Sequence, residues 1–403
     1  MQLSHRVRQL KPSTTLAVTA RVRELNASGE DIIGFGAGQP DFDTPQHIKQ
    51  AAIDALLAGQ TKYMPTPGVP EAREAIADKL RRENNIDCTM KDVIITVGAK
   101  QAMYMALQGL VDPGQEVILP TPAWVSYFPM IELAGGRVVE VPGALDNDFK
   151  ITPKQLEEAI TERTAAVIVN SPSNPCGTMY TEAELRALAE VLTRHPHVSI
   201  ITDEIYEKVV YADTPHVSMG AMREVADRVV TINGLSKAFA MTGWRIGYLC
   251  APGDNGRLAA ALPNLQDQIT SNITSFCYAA IIEAMVNGAE SVETMRQAFS
   301  RRAALMYDAV TAMPGLRCPQ PTGAYYLFPD ISTHIGKRTP GGRTIDSALS
   351  FAEALLEEAK VAVVPGEDFG RCAATHVRLS FACADDQIRE GCRRISAWLY
   401  ELG

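Results

Sequence analysis

The chain has 403 residues, of which 46% are hydrophobic and 21% are charged, and this is the composition of a globular protein with about two or three domains. Its 38 basic and 47 acidic residues leave a formal net charge of −9, so the chain as a whole does not attract nucleic acid or an acidic membrane surface. No run approaches the roughly 18 apolar residues of a membrane span, and the eight cysteines form no C-x-x-C motif. The sequence therefore predicts a cytoplasmic protein with free thiols that binds neither nucleic acid nor membrane.

The first 45 residues predict an arm and not a domain. Prolines and glycines, including Pro12, Gly34 and Pro40, interrupt residues 1–45 too often for a packed unit. We expect this arm to pack on a smaller domain and on the active site.

Residues 46–295 predict one large α/β domain. Short apolar runs alternate there with amphipathic stretches, which is typical of a mostly parallel sheet flanked by helices. The strand-like runs include 93–98, 115–120, 165–170, 198–203, 229–234 and 244–250.

Residues 296–403, together with the arm, predict a smaller α+β domain. A long helical stretch at about 281–311 leads into it. A hairpin-like segment follows at 323–330, then a helix at 351–360 and strands at 361–366 and 376–382.

Common nucleotide and hydrolase motifs are missing. The glycines at 34, 36 and 38 break the G-x-G-x-x-G spacing, and Pro40 follows at once, so a nicotinamide site is disfavoured. No P-loop, H-E-x-x-H or G-x-S-x-G motif occurs, which argues against the enzymes that carry those motifs. His195 and His197 have no cysteine or carboxylate pattern to complete a metal site, so no metal is predicted.

Ligands bind beyond the carboxyl ends of the strands in such a sheet, so the polar residues that close the strand-like runs are candidates for a site. Ser236 and Lys237 follow one run, and Arg245 comes eight residues after Lys237. A lone lysine is more commonly a surface residue, but here Asp203 closes a neighbouring run and Asn174 follows another.

These residue types match the needs of pyridoxal phosphate. The aldehyde of this cofactor needs a lysine amine, its pyridinium nitrogen needs a carboxylate, and its phosphate needs a hydroxyl, a guanidinium and a helix amino terminus. With these residues, the chain resembles the class I aminotransferases of pyridoxal-phosphate fold type I, and more narrowly the bacterial aspartate aminotransferases of subgroup Ib. The motifs that carry the resemblance run almost end to end: KPSTTLAV (11–18), GAGQPDFDTP (36–45), TVGAKQA (96–102), NSPSNPCG (170–177), TDEIYE (202–207), SKAFAMTGWRIGY (236–248), VVPGEDFG (363–370) and HVRLSFA (376–382).

The resemblance implies a role for each matching residue around the cofactor ring. Lys237 is the Schiff-base lysine and the acid/base, and a partly dry pocket beside Arg245 lowers the pKa of its amine. Asp203 pairs with the ring nitrogen, while Tyr206 and Asn174 reach the phenolic oxygen. Trp124 stacks on the ring, although an aromatic residue there could equally be part of the core.

The resemblance also implies how phosphate and substrate are held. Ser236, Arg245 and the amides of Ala99 and Lys100 bind the phosphate, and Tyr63 reaches the phosphate of the other subunit in a homodimer. Arg378 grips the substrate α-carboxylate, and Gly38 contacts the same substrate through its backbone. Lys100 binds the distal carboxylate of a dicarboxylic substrate. Lys11 in the arm is expected to bind the ring carboxylate of prephenate, the alternative being a solvated lysine.

The predicted activity is transamination between aspartate and 2-oxoglutarate, with prephenate as a second acceptor. Two alternatives remain open: another fold type I enzyme, such as a β-lyase or an aminotransferase of different specificity, and a non-catalytic ligand sensor. One departure from the family is Cys176, which stands where threonine is most common.

Overall fold

The computed structural model describes residues 1–10, 12 and 14–403. Its α-helices are α1 (His5–Gln9), α2 (Thr14–Ala27), α3 (Gln46–Leu57), α4 (Pro70–Asn84), α5 (Gly98–Leu110), α6 (Tyr127–Leu133), α7 (Pro153–Ala159), α8 (Glu182–Thr193), α9 (Leu235–Ala238), α10 (Arg257–Asp267), α11 (Cys277–Asn287), α12 (Ala289–Thr311), α13 (Ala348–Ala359) and α14 (Asp385–Tyr400). Its β-strands are β1 (Ile33–Gly34), β2 (Val93–Val97), β3 (Glu116–Thr121), β4 (Arg137–Pro142), β5 (Thr164–Asn170), β6 (Ser199–Asp203), β7 (Val229–Gly234), β8 (Ile246–Cys250), β9 (Tyr326–Leu327), β10 (Val361–Ala362), β11 (Val364–Pro365) and β12 (Val377–Ser380).

The central sheet of the described chain has seven strands in the order β2-β8-β7-β6-β5-β3-β4. Strands β3 to β7 pair in parallel, whereas β8 is antiparallel to both of its neighbours, β2 and β7. The predicted α/β fold with a mostly parallel sheet is therefore confirmed.

Helices cover both faces of this sheet, which explains why its central strands are mostly apolar. Ile94 and Ile168 lie in a buried cluster with residues of α5, α6 and α10. Their strand neighbours Ile95 and Val167 belong to different clusters, formed with α3, α4 and α11 and with α7 and α8. Successive side chains of a strand thus fill separate cores on opposite faces.

The strand register brings the candidate residues to one edge. Asn170 at the end of β5 pairs with Asp203 at the end of β6, and Asp203 pairs with Ile232 of β7. Strand β7 ends at Gly234, and the short helix α9 that follows carries Lys237. Polar groups that are 33 or more residues apart in sequence therefore meet at the carboxyl ends of parallel strands.

A second, smaller unit contains an antiparallel sheet of order β11-β12-β9 and the helices α12, α13 and α14. Its core includes Phe35, Phe299, Tyr325, Phe351 and Trp398. The arm strand β1 pairs with β10, which accords with an arm that packs on the smaller unit. The predicted division at residues 45 and 295 stays a prediction, and the second of these positions falls inside α12.

Two local predictions are wrong. The helical stretch expected at 281–311 is two helices, α11 and α12, which meet at Gly288, where the ring of Phe239 leaves no room for a side chain. The hairpin-like segment 323–330 is only the two-residue strand β9, which pairs with the distant β12. Of the described residues, no helix has the length and apolar character needed to cross a membrane.

Candidate active site

A cavity of about 470 Å³ lies at the carboxyl ends of β5 and β6 and the starts of α5 and α9. Of the sequence-predicted site residues that the structure describes, it brings together all except Tyr63. The predicted residues on its wall are Gly38, Ala99, Lys100, Trp124, Asn174, Asp203, Tyr206, Ser236, Lys237, Arg245 and Arg378.

The Lys237 amine occupies a setting that favours its neutral form. Its Nζ donates to the carbonyl oxygen of Gly38 at 2.5 Å and lies 5.9 Å from the ring centres of both Tyr206 and Tyr325. Burial, followed by the positive charges of Arg378 and Arg245, lowers the pKa of Lys237 to about 7. A large fraction of this amine is therefore unprotonated near neutral pH, as a nucleophile or a general base requires.

Asp203 is buried, and each oxygen of its carboxyl group accepts a hydrogen bond. Oδ2 accepts a hydrogen bond from the Tyr127 hydroxyl at 2.7 Å, and Oδ1 accepts one from the Ile205 amide at 3.2 Å. Burial raises the pKa of the Asp203 carboxyl, whereas these two donors and the charge of Lys237 act in the opposite direction. The pKa of Asp203 is raised overall, and its two hydrogen bonds favour the ionised form, which can accept a further proton donor.

Tyr127 was missed from the sequence. It begins α6 three residues after Trp124, and the two rings pack edge to face at 5.3 Å. The sequence feature that could have identified Tyr127 is its position one helical turn after Trp124, the predicted ring-stacking residue. Trp124 itself is partly buried and lines the cavity, with Lys100 Nζ 4.9 Å from its ring centre.

An anion-binding corner lies at the start of α5. Gly98 has φ +76°, and a side chain on it would come within 2.4 Å of Arg245 Nη2. Glycine is therefore required here so that the Arg245 guanidinium can approach the first turn of α5, where the amides of Ala99 and Lys100 are unpaired by the helix itself. With Ser236 on the same wall, this corner combines a guanidinium, a hydroxyl and a helix amino terminus.

Arg378 lies on β12 at the opposite side of the cavity, with a fully buried side chain. Nη1 donates to Asn174 Oδ1 at 2.8 Å, Nη2 donates to the carbonyl oxygen of Gly36 at 2.9 Å, and buried Nε has no partner among the described residues. No carboxylate in the described part of the chain pairs with Arg378. A buried cation that is held only by neutral oxygens is suited to an anionic ligand.

Lys100 provides a further cation on the wall. Its Nζ donates to Ser126 Oγ at 3.1 Å, and burial together with the charge of Arg245 lowers its pKa. Asn174 is positioned by Asn170, whose Oδ1 accepts the Asn174 amide at 3.0 Å and whose Nδ2 donates to the Asp203 carbonyl at 2.9 Å.

Two described residues that the sequence singled out, Tyr63 and Cys176, are not on the wall of this cavity. Tyr63 is 90% exposed and is not on the cavity wall, so its expected role depends on a second subunit. Lys11 lies outside the described residues. Cys176 is buried beside Phe328 and Phe369, and burial raises the pKa of its thiol, which keeps the thiol neutral.

The sequence model of aminotransferase class I and II matches residues 30–395. The chain belongs to this aminotransferase family. The predictions of the family and of an enzyme are thereby confirmed, and the alternative of a non-catalytic sensor is not supported.

Individual aminotransferases are similar over almost the whole length. An aspartate/prephenate aminotransferase of Cereibacter sphaeroides is 48% identical over 397 residues, covering 98% of each chain. An aspartate aminotransferase of Geobacillus stearothermophilus is 48% identical over 400 residues, covering 99% of each.

Solved aminotransferase structures share the fold. The aspartate aminotransferase of Rhizobium meliloti superimposes with a TM-score of 0.95 at 39% identity and covers 100% of both chains. That of Thermus thermophilus, solved with maleate, gives a TM-score of 0.91 at 42% identity over 98% of this chain and 99% of the other.

Proposed function

We propose that this aminotransferase uses pyridoxal 5'-phosphate to exchange the amino group between L-aspartate and 2-oxoglutarate, with oxaloacetate and L-glutamate as products. The observation that carries the proposal is the Lys237 amine, with a pKa of about 7, in one cavity with Asp203 and with the cations Lys100, Arg245 and Arg378. The names of the relatives support aspartate as the amino donor.

The residues present fit the cofactor. Arg245, Ser236 and the amides of Ala99 and Lys100 would hold its phosphate at the anion-binding corner. Asp203 would hold the proton of the ring nitrogen, Tyr206 and Asn174 would bind the phenolic oxygen, and Trp124 would cover the ring. Pyridoxal phosphate, when bound, supplies an aldehyde that takes up amines and a ring that withdraws electrons from the substrate Cα.

Lys237 performs two tasks in this proposal. Its neutral amine would hold the cofactor through the aldehyde. Once displaced by the substrate amine, it would take the proton from the substrate Cα and pass it to the cofactor carbon that carried the aldehyde, and it would move a proton in the reverse direction in the second half of the exchange. Its low pKa favours both tasks, since a protonated ammonium can do neither.

The cations on the two sides of the cavity bind the two carboxylates of the substrate. Arg378 takes the α-carboxylate through its planar guanidinium, and the backbone of Gly38 contacts the same end. Lys100 takes the distal carboxylate, a dicarboxylate arrangement consistent with the maleate named in the Thermus thermophilus structure.

Prephenate is proposed as a second amino-group acceptor. Relatives named aspartate/prephenate aminotransferase occur in Cereibacter sphaeroides and Nitrosomonas europaea at 48% and 42% identity. Lys11 remains the proposed contact for the ring carboxylate. Assays of wild type and Lys11→Ala with prephenate and with oxaloacetate test this, and a parallel loss on both acceptors would exclude the role of Lys11.

Lys237→Ala is expected to abolish transamination and to remove the visible absorbance of the lysine-bound cofactor. The matched control is Lys91→Ala, which changes an exposed lysine far from the cavity and should keep wild-type rates. The assay is a panel of amino donors and 2-oxo acids with purified protein. Steady-state transamination by Lys237→Ala, or release of ammonia by wild type in place of amino transfer to the 2-oxo acid, would contradict the proposal.

A further inference from the structure

Tyr326, on strand β9, has no role in the function proposed so far, yet it contacts three residues that do. Its hydroxyl lies 2.8 Å from the Tyr206 hydroxyl, and the Arg378 guanidinium lies 4.5 Å from its ring centre. A side chain on Gly38 would come within 3.1 Å of its hydroxyl. Tyr326 is 1% exposed and lines the same cavity.

The hydroxyls of Tyr206 and Tyr326 carry two protons, and the hydrogen bond between them uses only one of the two. One proton lies between the two oxygens, and the oxygen that accepts it keeps its own proton free to donate. The Tyr325 hydroxyl lies close enough to interact with both tyrosines, but among the described residues no hydrogen bond at normal distance carries this second proton to a protein acceptor, although Tyr206 and Tyr326 are both buried. Buried donors are almost always satisfied, and both tyrosines line the cavity, so a ligand there can supply the acceptor.

The neighbouring tyrosine does not share this property. The Tyr325 hydroxyl donates to the carbonyl oxygen of Gly38 at 2.9 Å, so its proton already has an acceptor. Burial raises the pKa of Tyr206 well above its ordinary value, and Tyr206 therefore stays a neutral donor throughout the working pH range. Chains of hydroxyls polarise one another, so a donor to the Tyr206 oxygen makes Tyr206 itself a stronger donor.

We propose that Tyr326 is a positioning residue, whose hydroxyl donates to Tyr206 and so directs the Tyr206 proton to the cofactor's phenolic oxygen, while its ring supports the Arg378 guanidinium. This inference rests on the proposed function, because the acceptor belongs to pyridoxal phosphate. The two contacts are separable: phenylalanine keeps the ring and removes the hydroxyl, whereas leucine removes both.

The hydroxyl is tested by a pH titration of the visible absorbance of the bound cofactor. Tyr326→Phe should move the midpoint to higher pH by about half a pH unit to one pH unit, since a weaker donor at the phenolic oxygen leaves that oxygen more basic. Tyr206→Phe should move it further in the same direction. The double variant should match Tyr206→Phe alone, because Tyr326 acts only through Tyr206.

Tyr211→Phe is the matched control. The Tyr211 hydroxyl donates to the carbonyl oxygen of Ala324, two residues before Tyr326, and Tyr211 does not line the cavity. Loss of this bond perturbs the same segment but should leave the midpoint unchanged. Equal midpoints for Tyr326→Phe and wild type, or additive shifts in the double variant, would overturn the inference while leaving the proposed function intact.

The ring is tested by the KM for aspartate. Tyr326→Phe should keep KM within about twofold of wild type, and Tyr326→Leu should raise it about three- to tenfold, because only leucine removes the aromatic face under Arg378. Equal KM values for the two variants would remove this part of the inference. Absence of cofactor absorbance in wild type would instead overturn the proposed function, and this inference with it.

Discussion

At the scale of a single residue, burial and hydrogen bonding have opposite effects on the pKa of Asp203. Burial raises the pKa of the carboxyl and favours the protonated form, which could not hold a proton on the cofactor nitrogen. The Tyr127 hydroxyl at 2.7 Å opposes that effect. We therefore expect Tyr127 to influence the proposed reaction through Asp203, although the sequence alone did not single it out.

Tyr127→Phe is expected to raise the pKa of Asp203 further, because the carboxylate loses a donor. A carboxyl with a higher pKa becomes protonated at higher pH, so the acidic limb of the kcat–pH profile should move to higher pH and kcat at pH 6 should fall about tenfold. Tyr180→Phe is the control, since the buried Tyr180 hydroxyl accepts only the Ile151 amide at 2.9 Å. An unchanged acidic limb in Tyr127→Phe would contradict the role of Tyr127.

Lys100 decides between dicarboxylic and monocarboxylic substrates in the proposed function. Lys100→Ala should raise KM for aspartate and 2-oxoglutarate about tenfold or more and should change KM for monocarboxylic amino acids little, because only the former lose a charge-assisted bond. Kinetics with both substrate classes on the same preparation provide the internal control. Equal losses for the two classes would reject this assignment.

At the scale of elements, a buried ion pair joins α4 to the turn after β6. Lys79 Nζ bonds Glu207, and their side chains are only 5% and 7% exposed. Burial alone would raise the pKa of Glu207, but Lys79 and Lys208 lower it to about 2. The Asn84 side chain donates to the other Glu207 oxygen at 2.6 Å. This network supports the segment that carries Asp203 and Tyr206.

Lys79→Met is expected to lower the free energy of unfolding by about 3–5 kcal/mol at pH 7, because it leaves a buried carboxylate without its cation. The folded pKa of Glu207 lies below its ordinary value of 4.5, so the contribution of the pair is fully present above that value and is lost as pH falls toward 2. The difference between variant and wild type should therefore shrink on acidification. Urea unfolding at several pH values measures it.

The control for this prediction is Lys154→Met. Lys154 pairs with Glu158 at 3.8 Å on the surface, with side chains 85% and 66% exposed, and its loss should change the free energy of unfolding by less than about 1 kcal/mol. An equal effect of Lys154→Met and Lys79→Met at pH 7 would show that burial of the pair is not what stabilises it.

Element positions were predictable to different degrees. The strand-like runs at 93–98, 198–203 and 229–234 coincide with β2, β6 and β7, because continuous apolar runs bounded by polar residues are a local property of the sequence. The break at Gly288 was not predictable, since both flanking segments are helical in period. The requirement for glycine at this point comes from the ring of Phe239, a residue 49 positions away in the chain, which leaves no room for a side chain.

At the scale of the whole molecule, the proposed homodimer accounts for Tyr63, which is 90% exposed in the single chain. Light scattering is expected to give twice the chain mass of 43.7 kDa. If Tyr63 reaches the phosphate of the other subunit, the inactive Lys237→Ala and the impaired Tyr63→Phe should complement each other. A mixed dimer then contains one site with native Lys237 and native Tyr63.

The measurement is the activity of the two variants after mixing and subunit exchange. Regain of activity toward about a quarter of the wild-type value supports shared sites, because random exchange makes half of the dimers mixed and each mixed dimer has one native site; the separate variants kept unmixed are the controls. A monomeric mass, or exchange without regain of activity, would place Tyr63 outside the site of its partner.

The sequence by itself determined the α/β class, the family and most of the cavity wall. Lys237, Asp203, Asn174 and Arg378 stand in motifs whose residue types are dictated by the chemistry they perform, and such motifs are readable without a structure. Tertiary structure alone decided which additional side chains complete the site. Tyr127 and Tyr326 reach Asp203 and Tyr206 across 76 and 120 residues of chain, through hydrogen bonds of 2.7 and 2.8 Å. A buried tyrosine is indistinguishable from a core aromatic in sequence, because its role depends on which acceptor folding brings within reach of its hydroxyl.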